Sequence, residues 1–151
     1  MEGWRITRRA YQEQAFTGDG ARLYGGRWNR PGIPLVYTAQ SRSLAILEML
    51  VHLQETAPMD GFVLIPVRFA EELVLTVESM GLPPGWDAEP PTLHSQRLGE
   101  SWVASGASPV LSTPSAVVPQ ERNYLLNPAH PLFSLIEIAE AEECRIDKRL
   151  L

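Results

Sequence analysis

The chain has 151 residues, 44% of them hydrophobic and 21% charged, with a formal net charge of −5. That length suits one domain, 1–151, with a core large enough to hold a cleft. The acidic balance argues against broad binding to nucleic acid or anionic membrane surfaces.

Met1-Glu2-Gly3-Trp4 opens without an apolar h-region, and no run approaches the roughly 18 apolar residues of a membrane span. A cytoplasmic protein is therefore expected. Trp4-Arg5-Ile6-Thr7 reads as a short opening strand. Arg5, Arg8 and Arg9 form a cluster whose planar cations suit phosphate or carboxylate, or simply solvent. Gly18-Asp19-Gly20 and Gly25-Gly26 punctuate a flexible loop, and Leu35-Val36-Tyr37-Thr38 is a compact strand signal after Pro31-Gly32 and Pro34. A helix is predicted over 41–54, ended by Thr56-Ala57-Pro58. Phe62 to Phe69 and Leu73 to Val77 read as two strands joined by a tight Ala70-Glu71-Glu72 turn.

The stretch 80–91, rich in proline and glycine, reads as a surface loop, and a second helix over 92–104 stops at Gly106. Pro109-Val110-Leu111 and Ser115-Ala116-Val117-Val118 look strand-like, and 132–138 reads as a last strand. The single cysteine, Cys144, excludes an internal disulfide and any cysteine-rich metal site, and reads as a buried or incidental thiol. Strands outnumber helices without alternating with them. The expected class is a single α+β domain with a mixed or antiparallel sheet and packed helices, rather than a doubly wound parallel sheet.

Glu48 is the sharpest single residue. Leu44, Ile46, Leu47, Met49, Leu50, Val51 and Leu53 cover most of the circumference of its predicted helix, so Glu48 is expected in a slot walled by apolar side chains. A carboxylate there needs a partner and can stabilise an oxocarbenium-like transition state, the kind formed when a glycosidic bond breaks. Arg27 follows a glycine pair that lets backbone approach a ligand closely, and its fork suits a pyrophosphate as well as a structural salt bridge. Trp28 reads as core. Tyr37 suits stacking on a ligand ring, hydrogen bonding to it, or plain strand packing.

Ser115 begins an apolar run between two prolines and lies outside any G-x-S-x-G turn. Positioning a ligand hydroxyl, positioning Glu48, or closing a strand end are its available roles. Asn123 and Asn127 read mainly as turn formers. His52, His94 and His130 lack metal-ligand spacing, so no metal is expected. Neither a Walker loop nor a G-x-G-x-x-G fingerprint is present.

Taken together, Gly25-Gly26-Arg27-Trp28-Asn29, Val36-Tyr37-Thr38-Ala39, the Glu48 helix, Leu98-Gly99-Glu100-Ser101-Trp102, Pro114-Ser115-Ala116-Val117-Val118-Pro119 and Asn123-Tyr124-Leu125-Leu126-Asn127-Pro128-Ala129-His130-Pro131 resemble the RES domain, a bacterial family named for its Arg, Glu and Ser. The resemblance spans essentially the whole chain. It implies a fold similar to that of NAD-using ADP-ribosyltransferase toxins. It also implies the toxin role in a toxin–antitoxin pair whose partner is an Xre-like DNA-binding antitoxin. The implied activity is cleavage of NAD+ at the nicotinamide–ribose bond by hydrolysis or phosphorolysis, with NAD+ as substrate and no resident cofactor. By the same resemblance Arg27, Glu48 and Ser115 are the catalytic set, and Arg5, Arg27, Tyr37 and Asn127 contact NAD+. DNA is reached only through the antitoxin, no membrane is involved, and a homodimer inside a larger complex is implied. Two alternatives stay open: ADP-ribosyl transfer to a protein target, and a non-enzymatic protein-binding domain.

Overall fold

A computed structural model of the chain describes residues 1–54 and 56–150. Its centre is an eight-stranded sheet built from β1 (Glu2–Arg8), β2 (Val36–Ala39), β3 (Phe62–Arg68), β4 (Val74–Thr76), β5 (Val110–Pro114), β6 (Arg122–Leu126), β7 (Glu137–Ile138) and β8 (Glu142–Cys144). The order is β4-β5-β6-β2-β1-β3-β7, with β8 also pairing β3, and every pairing is antiparallel except β4 with β5. This is the mixed-sheet α+β domain expected above.

Residues alternate between the two faces of the sheet. Trp4, Tyr37, Ala39, Leu111, Asn123 and Leu125 share one face through the pairs Trp4–Ala39, Tyr37–Leu125, Ala39–Asn123 and Leu111–Leu125. Gly3, Val36, Val67, Val110, Tyr124 and Leu126 belong to the other. Helix α2 (Arg42–Leu50) covers the first face where Trp4, Ala39, Leu44, Ala45, Phe62 and Leu64 pack together. Beside it, Trp28, Leu35, Trp102, Leu111 and Leu125 form a second core under α3 (Leu93–Ser105). With β3 central and covered on both sides, six of its seven residues are buried, as an almost continuous apolar run requires.

The sheet has a weak seam. β1 pairs with β3 along all of Glu2 to Arg8, but with β2 only through Trp4 and Ala39. Past that point the Arg5 side chain, rather than backbone, spans the gap, donating to Tyr37 O at 3.3 Å.

Several local expectations are corrected. The glycine-punctuated loop contains a short helix, α1 (Asp19–Tyr24), between Gly18 and Gly25. Helix α2 is shorter than 41–54: Ser41 caps it by accepting from Leu44 N, and it ends at Leu50. Nor is it walled in all round, since Leu44 and Ala45 are buried while Leu47 and Val51 are exposed. β4 does not turn back on β3 but leaves it to run parallel to β5. Ser115 to Val118 bend away from β5 rather than forming a strand, and the strand lies further on at Arg122–Leu126, where it takes in Asn123, a residue whose sequence context points to a turn. Between Leu132 and Ile138 a 3-10 turn, Phe133–Leu135, precedes the two-residue β7. Helix α3 matches its expectation closely, capped by Thr92 and closed by Gly106 at φ 63°. Cys144 is buried and free.

Candidate functional site

Helix α2 is held to the sheet by Leu44 and Ala45, and Glu48 follows one turn later on the same side. Its side chain is therefore lowered toward the sheet face that carries Ala39 and Asn123. There Glu48 Oε1 accepts two short hydrogen bonds, from Ser115 Oγ at 2.6 Å and from Asn123 Nδ2 at 2.7 Å. These are the lengths of charge-assisted bonds. The carboxylate is half-buried and tied to two separate elements rather than free in solvent.

Ser115 is 0% exposed and sits just past β5, where the chain turns back to β6. Its Oγ accepts from Val117 N and Val118 N, both at 3.0 Å, so its proton is left for Glu48. The hydroxyl is a fixed relay from two backbone N–H groups to the carboxylate. Asn123 comes from β6, directly opposite Ala39 of β2. Its sequence context points to a turn instead. The signal that places it is the alternation of Asn123 and Leu125 with Tyr124 and Leu126, legible once 122–126 is taken as a strand.

The Gly25–Asn29 loop lies on the same face, two residues along β2 from Ala39, a span of about 7 Å. Tyr37 pins it there. The hydroxyl of Tyr37 donates to Asn29 Oδ1 at 2.6 Å and accepts from Trp28 N at 3.1 Å. Burial pushes the Tyr37 hydroxyl well above the usual tyrosine range, so it remains a donor. Gly26 is needed for this contact, because a Cβ there would stand 2.7 Å from Tyr37 Oη. The backbone's close approach is thus to a tyrosine of the same chain. Asn29, 0% exposed, donates to Ala21 O, Arg30 O and Ile33 O, knotting the loop. From above, α3 holds it through Ser95 Oγ to Arg27 O and Gln96 Nε2 to Gly26 O.

Arg27 itself reaches away from the sheet. Its Nη1 donates to Trp86 O at 2.9 Å and Ala88 O at 2.7 Å, and Nη2 meets Glu89 at 3.3 Å. Trp86 stacks on Trp28, with ring centroids 6.2 Å apart. Arg27 and Trp28 together strap the loop after β4 over the Gly25–Asn29 segment. Arg5 alternates with Trp4 and so leaves β1 on the opposite side of the sheet, and its guanidinium donates to Ala15 O and Tyr37 O at the seam. It lacks a carboxylate partner among the described residues, and burial lowers its pKa. Asn127 lies at the far end of β6, about 13 Å along the strand from Asn123. Its Oδ1 accepts from Ala129 N in a tight turn.

The structure therefore brings Glu48, Ser115 and Asn123 into contact and sets Tyr37 and the Arg27 loop beside them. It does not bring Asn127 there. Two open hollows, of about 640 and 390 Å3, lie elsewhere, one around Met1, Phe69 and Leu135 and the other around Met80, His94 and Arg97. Neither is lined by Glu48 or its partners. The candidate site is defined by its polar contacts, not by those hollows.

Comparison with known proteins gives a consistent picture. The family model described as RES domain matches residues 2–147. The chain is 38% identical over 154 residues to a protein of Sphingobium sp. (strain YBL2) named Prs ADP-ribosylating toxin, covering 98% of this chain and 95% of that one. It is 38% identical to Toxin Res of Photorhabdus laumondii (98% and 96% covered) and 39% identical to Toxin Res of Pseudomonas putida (97% and 97% covered). Its fold is similar to a chain in the crystal structure of the M. tuberculosis MbcT–MbcA toxin–antitoxin complex, with a TM-score of 0.75 over 95% of this chain and 83% of that one, at 16% identity. A family match from residue 2 to residue 147, with relatives this similar along nearly their full length, shows that the chain belongs to the RES domain family.

Proposed function

We propose that this RES-domain protein is the toxin of a toxin–antitoxin pair and that it cleaves NAD+ at the nicotinamide–ribose bond. The observation that carries the reading is the Glu48 carboxylate, immobilised through Oε1 by Ser115 and Asn123 on the face that also holds Tyr37 and the Arg27 loop. A carboxylate held rigidly at partial burial stabilises positive charge developing on the ribose as nicotinamide departs, because it needs no reorganisation in the transition state. Arg27 supplies the cation for the pyrophosphate. Its tie to Glu89 is long and reaches a carboxylate whose side chain is 71% exposed, so a phosphate can replace it. Arg5, which meets no carboxylate among the described residues, reaches the seam from the other side of the sheet and adds a second cation there, and Tyr37 packs against the nicotinamide side. Asn127 takes no part in this reading. Water or inorganic phosphate captures the ribosyl cation, and no cofactor beyond the NAD+ substrate is required.

Transfer of ADP-ribose to a protein is the second reading, favoured by the name of the Sphingobium relative. Mass spectrometry of the products from NAD+, with and without phosphate and with cell lysate as acceptor, separates the two. Free ADP-ribose or its 1″-phosphate supports cleavage, label on a protein supports transfer, and intact NAD+ in all three rejects both. The neighbouring fold comes from a toxin–antitoxin complex. Consistent with that, we take the partner to be an Xre-like antitoxin that contacts DNA on the toxin's behalf, with the toxin a homodimer inside the complex. Among the described residues no helix is long and apolar enough to cross a membrane.

A further inference from the structure

Asn123 holds Glu48 at a cost to its own hydrogen bonding. Its Nδ2 donates to Glu48 Oε1 at 2.7 Å, while its Oδ1 is buried and without a partner among the described residues. Thr113, paired directly with Asn123 across β5 and β6, has a buried hydroxyl that is likewise without a partner. The amide cannot be turned round to relieve this, since that would set Oδ1 against a carboxylate oxygen and bury the donor instead. Leaving a buried acceptor unsatisfied costs about 1–3 kcal/mol. A valine or threonine would fill a strand position between Thr113 and Ala39 without that penalty.

The two donors on Oε1 also come from different directions. Ser115 arrives from the turn after β5 and Asn123 from the floor of the sheet, two strands that pair with each other. One donor fixes a carboxylate oxygen at a distance but leaves the group free to swing about it. Two donors from rigid elements fix its plane and direct the other oxygen, Oε2, which accepts no hydrogen bond among the described residues.

We propose that Asn123 is a positioning residue that orients the Glu48 carboxylate so that Oε2 faces the ribose on which charge develops. This rests on the NAD+ reading above. Asn123 does not touch substrate; it acts through Glu48, and the strand carries an unsatisfied amide oxygen for that purpose. The arrangement belongs with the small departures from best packing that accompany working sites.

The test compares nicotinamide release from NAD+ by the full-length wild type, Asn123→Ala and Asn123→Asp, with thermal unfolding of each. Asn123→Ala is expected to lower kcat at least tenfold, keep KM within twofold, and leave Tm unchanged or raised. Asn123→Asp keeps the shape of the side chain but replaces the donor with a second carboxylate, and its kcat is expected to fall at least as far. Wild-type kcat in either folded variant overturns the role, and so does a loss confined to KM, which would make Asn123 a substrate contact. A fall in Tm with kcat intact marks a purely structural residue and overturns it too. Should Asn123→Ala not fold, the isosteric Asn123→Asp decides the question alone. A wild type that releases no nicotinamide under any condition sinks the NAD+ reading itself and this role with it, an outcome separate from the others.

Discussion

Two side chains define what single residues contribute here. Glu48 is the group whose removal should matter most to chemistry, while its helix stays anchored by Leu44 and Ala45. Glu48→Ala is expected to slow nicotinamide release by more than tenfold, a loss of over about 1.4 kcal/mol of barrier reduction, and to lower stability by about 1–3 kcal/mol, because Ser115 Oγ and Asn123 Nδ2 lose their acceptor. Steady-state assay and denaturant unfolding of the purified variant check the two. Tyr37 has the reverse balance. Its hydroxyl serves Asn29 and the Trp28 backbone at once, so Tyr37→Phe strips a partner from the fully buried Asn29. A destabilisation of about 1–3 kcal/mol is expected, measurable by denaturant unfolding. The aromatic ring that suits a nicotinamide ring remains. Tyr37 thus has a structural duty that its position in a strand did not reveal.

At the scale of elements, α3 and the loop after β4 act as clamps on the Gly25–Asn29 segment. Gly99 lets α3 lie directly on Trp28: a Cβ there would fall 2.0 Å from Trp28 O, a backbone atom that cannot step aside alone. Gly99→Ala gains helix propensity but must push the helix off the loop. A net destabilisation of about 2–3 kcal/mol is expected, in the range of overpacked cores, and the measured Tm should fall accordingly. The strap depends on Arg27. With Nη1 bound to Trp86 O and Ala88 O, Arg27→Ala releases 83–91 except for the Trp28–Trp86 stack. Limited proteolysis is expected to cut the variant within 83–91 faster than wild type, alongside a tenfold or greater fall in nicotinamide release. Arg27→Ala cut no faster than wild type would show that the stack alone holds the strap.

Across the whole molecule, two half-sheets meet at the single Trp4–Ala39 pair, and ion pairs close the periphery around them. Arg30 grips Glu100 of α3 with bonds of 2.7 to 3.2 Å and holds its carboxyl below the usual carboxylate range. For a carboxylate depressed in the folded state, the stabilisation is complete above the unfolded value of about 4.3. It is lost as pH falls through the lower folded value. The Tm gap between wild type and Glu100→Gln is therefore expected to be open at neutral pH and to close as the solution is acidified through and below about pH 4, in calorimetric scans across that range. Salt should narrow the gap too, because Arg30 is half-exposed.

The sequence by itself determined the class of fold, the extent of α3 and its closure at Gly106, and the residues Glu48, Ser115 and Arg27 as the ones to watch. Those signals are local: a helical period, a Gly106 able to take positive φ, and motifs read in order along the chain. Only the tertiary structure decided that Asn123 meets Glu48, that Gly26 makes room for Tyr37, and that Arg27 holds the carbonyls of a strap. Alternation along a strand says which side chains share a face, but not which strand will lie beside it. The contact between residues 48 and 123 exists because β6 pairs with β2 in one register, and that register is set by packing of the whole sheet.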